Sequence, residues 1–217
     1  MTVLSVNVGK PKPLDLGKRT TPSAIGKNPV LGPALLSKKG LAGDGFGSPT
    51  VHGTPDQAAY AYSFIHYDYW AKELERGDFS YGQFGENFTL DGMLEENVFI
   101  GDRYRVGAAL VQITKPRGPC YKLAAWLKQD QKTFVARFLA TRKIGFYMRV
   151  LEEGLVCAGD VFEKIDADPV PVSIAEAIRL MHEAPADPGG MERALENRSL
   201  TGDVRDKLIR RLDKIRT

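Results

Sequence analysis

Residues 97–123 read NVFIGDRYRVGAALVQITKPRGPCYKL, and the reading of this stretch decides the fold. Its apolar and β-branched residues fall into two short segments, Asn97–Ile100 and Tyr104–Thr114, broken by Gly101-Asp102. Segments of that length between glycine turns are predicted as strands. Gly145–Leu151 and Val161–Ile165 continue the pattern, separated by Glu152-Glu153-Gly154 and Gly159-Asp160. Between them Lys122–Leu127 and Gln131–Ala140 have helical character. Short strands with tight turns point to a closed or nearly closed barrel more than to alternating βαβ units.

Toward the N-terminus, Thr2 to Val8 alternates and reads as an opening strand, and the Gly- and Pro-rich stretch through Pro49 reads as turns and short strands. Thr54-Pro55-Asp56-Gln57 has the capping-box arrangement with proline at the first helical position. A helix in one or two pieces is predicted from there through AAYAYSFIHYDYWAKELE to Gly77. Its aromatics (Tyr60, Tyr62, Phe64, Tyr67, Tyr69, Trp70) are too many for one stripe, so some must line a cavity or a second surface. Toward the C-terminus, Asp166–Pro171 reads as a linker before three amphipathic helices. Ser173 and Glu176 form a capping box, Pro188 precedes the second helix, and Ser199 or Thr201 caps the third. The expected class is mixed α+β: a β-rich domain over 1–168 and a helical unit over 169–217.

With 43% hydrophobic and 26% charged residues in 217, the chain is an ordinary globular one, which excludes disordered and fibrous classes. No apolar run approaches the roughly 18 residues of a membrane span. The first apolar stretch precedes its lysines, the reverse of a signal peptide, so the cytoplasm is the expected compartment. Two cysteines, Cys120 and Cys157, exclude a disulfide framework. The net charge of +3 is unevenly spread: residues 1–50 carry seven Lys and Arg against Asp15 and Asp44. No dense basic run accompanies this surplus, so nucleic acid is not an expected partner.

The segment Pro116-Arg-Gly-Pro-Cys120 is the main chemical candidate. Two prolines stiffen the exit from a strand, and Arg117 and Lys122 flank Cys120. Nearby cations favour a thiolate, which is both a nucleophile and a soft metal ligand. A small buried hydrophobe is the commoner role of a lone cysteine, and it is the reading kept for Cys157. In Gly82-Gln-Phe-Gly-Glu-Asn-Phe88, Glu86 and Asn87 supply a carboxylate and an amide beside flexible glycines; a tight turn capped by Asn87 reads equally well. Asp44 in GLAGD, and His52 before a helix start, form a third cluster that could meet an anion or move a proton. A surface histidine at a turn is the plainer account of His52. His66 and His182 lie in helices without partner ligands. Zinc, Walker, GxSxG and HExxH patterns do not occur in the sequence.

GLAGD at 40–44, HGTPDQAAYAY at 52–62, YDYW at 67–70, FGENFTLDGM at 84–93, VFIGDRYRVGAALVQITKPRGPCYKL at 98–123 and GFYMRV at 145–150 resemble MOSC-domain proteins, and within them the YiiM-like subgroup. The resemblance covers nearly the whole chain, including a C-terminal three-helix extension. It implies a MOSC-type β-barrel with flanking helices that binds the molybdenum cofactor (molybdopterin), with Cys120 as thiolate ligand to the metal. Pyridoxal phosphate binding is a further association of such domains. It places Glu86, Asn87 and Gln112 on the cavity wall, and Lys27 of the Ser23–Lys27 (SAIxK) segment, Arg117 and Lys122 around the pterin phosphate. Asp44, His52 and Asp56 match GLxGD and HGGxD, where Thr54 replaces a glycine and Gln57 a frequent cation. The implied activity is reduction of N-hydroxylated compounds, such as hydroxylaminopurine-type base analogues, by electrons from a separate reductase. The alternative is a cofactor or sulfur carrier with a persulfide on Cys120. Protein purified without the cofactor is expected to be empty or to hold phosphate or sulfate. The helical tail is expected to serve docking or homodimerisation.

Overall fold

The structure, a computed structural model, describes residues 1–17, 19–47, 53–183 and 185–216. The chain opens with β1 (Val3–Val8) and passes through short strands β2 (Lys12–Asp15), β3 (Thr20–Ser23), β4 (Asn28–Pro29), β5 (Ala34–Ser37) and β6 (Gly40–Leu41). A 3-10 turn at Pro55–Gln57 leads into β7 (Ala59–Ser63), α1 (Ile65–Glu73) and β8 (Phe88–Leu90). The hairpin of β9 (Arg103–Val106) and β10 (Ala109–Pro116) precedes α2 (Tyr121–Trp126), α3 (Gln131–Ala140) and β11 (Phe146–Glu152). After β12 (Gly154–Val156) and β13 (Glu163–Asp166) come α4 (Ile174–His182), α5 (Pro188–Leu195) and α6 (Gly202–Arg216).

Eight strands form one sheet in the order β13-β9-β10-β11-β7-β8-β1-β4. Neighbours are antiparallel except β7 and β8. The sheet curls until its two sides approach: Thr2 bridges Val161, and Phe162 N–H donates to the Met1 carbonyl at 2.8 Å. The result is the expected barrel-like sheet with flanking helices, in a mixed α/β chain. Strand β10 is its hub, pairing with β9 on one side and β11 on the other, and it is buried along most of its length. Its C-terminal end delivers Pro116 and Arg117 to the rim.

Three expectations are corrected. The helix predicted from Thr54 is a 3-10 turn, then β7, then α1, and the Thr54 side chain caps no backbone N–H. Ala59-Tyr-Ala-Tyr-Ser63 alternates small and aromatic side chains with the period of a strand, and all five are buried between β11 and β8. The Tyr60 and Tyr62 hydroxyls donate to the Ile144 and Lys143 carbonyls, both at 2.9 Å. At Gly145, φ is +70°, and a Cβ would strike the Ala61 carbonyl, so glycine is required there. Second, Asn97–Ile100 is no strand; Phe99 makes a single bridge to Ser173. Third, Tyr104–Thr114 is two strands, folded back at Gly107.

Local capping positions the C-terminal helices. Ser173 Oγ accepts from Glu176 N–H at 3.0 Å, and Asp187 Oδ1 accepts from Gly190 N–H at 2.9 Å. Because α6 starts at Gly202, Thr201 rather than Ser199 stands just before it. Asn197 ties the helices to the segments before β9 and after β13, its amide donating to the Ile100 and Val170 carbonyls at 3.1 and 2.7 Å. Their apolar faces join the same continuous core as the barrel.

Candidate functional site

Beneath the rim of β10 lies a chamber of about 110 Å³ lined by Ser23, Lys27, Asp44, Asn87, Arg117, Cys120 and Lys122. Seven candidate residues from four separate segments therefore meet there. The wall is completed by Phe46, Gln57, Tyr60 and Tyr147. Two clefts extend it: one of about 440 Å³ toward Lys10, Lys12 and Trp126, and one of about 690 Å³ toward Tyr121, Lys115 and the start of α6.

On the N-terminal side the polar groups satisfy one another. Asp44 takes Lys27 Nζ at 2.5 and 2.6 Å, Gly9 N–H at 2.8 Å and the Asn87 amide at 2.7 Å. Asn87 Oδ1 accepts from Tyr60 N–H at 3.1 Å, tying this network to β7. Burial pulls the Lys27 ammonium below the ordinary lysine value, and the Asp44 carboxylate opposes that shift. The pair is neutral as a unit and almost wholly enclosed.

On the PRGPC side Arg117 is less completely matched. Arg117 is buried, with its guanidinium carbon 5.2 Å from the Tyr60 ring and 5.5 Å from the Phe138 ring. Its backbone N–H donates to the Gly145 carbonyl at 3.2 Å, but Nη1 has no hydrogen-bond partner among the described residues. A buried guanidinium N–H without an acceptor costs free energy, and because Arg117 also lines the chamber, its positive charge favours an anion there. Cys120 stands at the N-cap of α2 in extended conformation (φ −134°, ψ 130°), partly exposed to the chamber. Lys122 Nζ donates to the Pro22 carbonyl at 2.9 Å and so fixes β3 against α2. Arg117 adds a cation to the chamber wall beyond the neutral Lys27–Asp44 pair, and the soft sulfur of Cys120 lines the same chamber.

Two residues expected on the wall stand elsewhere. Glu86 is fully buried behind Asn87, accepting from the Tyr67 hydroxyl, from Gly82 and Phe84 N–H at 3.0 Å each, and from Thr89 Oγ1 at 2.8 Å. Burial pushes its carboxyl up, against those donors. It clamps the turn that presents Asn87. Gln112 sits in the middle of β10 and donates to the Gly101 carbonyl at 3.0 Å, away from the chamber. The Asp56 side chain pairs with Arg149 at 2.8 Å, and its carbonyl accepts from Thr114 Oγ1 at 2.7 Å. His52 lies outside the described residues. Among the described residues, groups of three or more His, Cys, Asp or Glu side chains that could hold a metal ion are absent, which leaves the Cys120 thiol as the soft donor of the chamber. Tyr60 is among the aromatics expected to line a cavity, though from a helix rather than from β7; Tyr147 carries no sequence assignment, because an aromatic in a strand looks like core.

The profile of the MOSC domain matches residues 48–163. The chain is 36% identical over 214 residues to the uncharacterized protein YflK of Bacillus subtilis, covering 99% of this chain and 96% of that one. A protein of Gibberella moniliformis named "Reductase" is 35% identical over 167 residues, covering 76% of this chain but 29% of that longer protein. Among solved structures, YiiM from Geobacillus stearothermophilus superposes with a TM-score of 0.80 at 32% identity, covering 97% of this chain and 98% of that one. Among the described residues no helix is long and apolar enough to cross a membrane.

Proposed function

This chain belongs to the MOSC-domain family and its YiiM-like subgroup, and from that premise we propose that it is an oxidoreductase holding the molybdenum cofactor at Cys120. The observation that carries the reading is the buried Arg117 guanidinium, which lines the same chamber as the Cys120 thiol and whose Nη1 lacks a partner among the described residues. The residues fit the group: a soft sulfur for the metal, and Arg117 with Lys122 for the phosphate of the pterin. When bound, the cofactor supplies two-electron redox chemistry that no side chain of this protein provides. The protein's own part is to present Cys120 from a proline-stiffened segment, to fix the anionic tail, and to exclude water with the Tyr60 and Tyr147 rings.

The substrates are N-hydroxylated compounds, including hydroxylaminopurine-type base analogues. Each turnover takes an N–OH compound, two electrons and two protons to the amine and water, with breakage of the N–O bond. The electrons come from a separate reductase, since the chain has no flavin, nicotinamide or iron–sulfur motif. Pyridoxal phosphate fits less well, because Lys27 is committed to Asp44. The experiment is turnover of a hydroxylamine or amidoxime by cofactor-loaded protein with an artificial reductant. Amine formation is expected, and its absence at full molybdenum occupancy would refute the reading. A labile sulfur adduct on Cys120 without molybdenum, seen by intact mass, would favour the carrier instead.

A further inference from the structure

The wide cleft from Cys120 toward solvent runs between two rims of different construction. One is the 3-10 turn at Pro55–Gln57, pinned to β10 by Thr114 Oγ1 on the Asp56 carbonyl and by the Asp56–Arg149 pair. The other belongs to the helical unit: Gly202 and Asp203, the first residues of α6. Asp203 reaches across to Lys115 of β10, Oδ2 to Nζ, at 2.6 Å. Lys115 is mostly covered (13% of its side chain exposed), whereas Asp203 is open (62%). Such a half-exposed pair is weak, so it can part at little cost, unlike the Thr114-pinned rim opposite.

We propose that the Lys115–Asp203 ion pair limits, by size, what reaches Cys120, making Asp203 a specificity-determining residue supplied by the helical unit. The rest of α6 is held independently of Asp203. Val204, Leu208 and Leu212 are buried, and Arg205 donates to the Leu195 and Asn197 carbonyls at 2.9 and 2.8 Å. Releasing the pair should therefore widen the cleft without unseating the helix. That the molecules admitted include the substrate rests on the reductase reading above; the size limit is measured without cofactor or turnover, so either can fail alone.

The test uses full-length, cofactor-free protein with Cys157→Ser, so that Cys120 is the single thiol. Its alkylation rate is compared for two uncharged reagents of one chemistry, N-ethylmaleimide and the larger N-(1-pyrenyl)maleimide. Lys115→Met and Asp203→Asn should each raise the large-to-small rate ratio roughly two- to fivefold, the population shift that such a pair can supply. The double variant should add nothing further, and the swapped pair Lys115→Asp with Asp203→Lys should return the ratio to that of the parent. An unchanged ratio would overturn the proposal. So would an equal rise with both reagents, which would mean that Lys115 acts on the thiol's charge, or a swap that leaves the ratio raised.

Discussion

The two walls of the chamber hold cations in opposite states. Lys27 is matched by Asp44, and Asp44 in turn is saturated by Gly9 and Asn87. Arg117, across the cavity, lies against aromatic faces with one nitrogen unsatisfied. The difference separates structure from function. A buried charge whose partner is built into the protein contributes to holding the fold together, and removing one member leaves the other stranded. A buried charge without a partner among the described residues costs stability, and a ligand anion offsets that cost.

The largest expected effect therefore lies on the closed wall. Asp44→Ala should destabilise the protein by about 3–5 kcal/mol, because Lys27 is left charged and enclosed; denaturant titration measures it. Replacing both partners, Lys27→Met with Asp44→Leu, should cost far less than the single change, and an equal cost would break the comparison. On the open wall, Arg117→Met should leave the midpoint unchanged or raised while weakening cofactor binding roughly ten- to a hundredfold, as one charge-assisted bond of about 1.5–3 kcal/mol is lost. A large stability loss in that variant would mean that Arg117 is scaffold after all.

The smallest effect concerns a cation site on the helical unit. His182 contacts Lys207 at 2.9 Å, and burial first, then Lys207 and Arg211, press its pKa down from 6.5 to about 4. Between those values the unfolded chain binds the proton that the folded one refuses, so stability rises with pH there. The contribution is full above about 6.5 and is lost as pH falls toward about 4. The group is half exposed, so the slope should be shallow, and His182→Gln should flatten it in thermal melts across that window.

How far this was legible in the sequence depended on whether the deciding force was local. Helix α3 lies at Gln131–Ala140 as read, because Asp130 caps it, accepting from Thr133 N–H at 3.0 Å. PRGPC could be singled out because stiff backbone, cations and thiol are neighbours in the chain. The stretch from Thr54 was misread because cap and proline signals are local, whereas β7 exists through pairing with β11, more than eighty residues away in sequence. The Lys27–Asp44 pair joins two loops, and nothing in either loop discloses that one lysine would be matched while Arg117 would not. Glu86 stands beside the wall residue Asn87 in sequence but is turned inward to Thr89 and the Gly82 and Phe84 N–H groups, and Gln112 lies mid-strand in β10 with its amide on the Gly101 carbonyl; both outcomes depend on contacts that the local sequence does not disclose.

The measurement that bears most directly on the open wall is the molybdenum-to-protein ratio of Cys120→Ser and Cys157→Ser purified gently alongside the parent. The account predicts a ratio near one for the parent and for Cys157→Ser, and near zero for Cys120→Ser, since a hydroxyl is a harder and poorer ligand. Equal metal content in all three would contradict it.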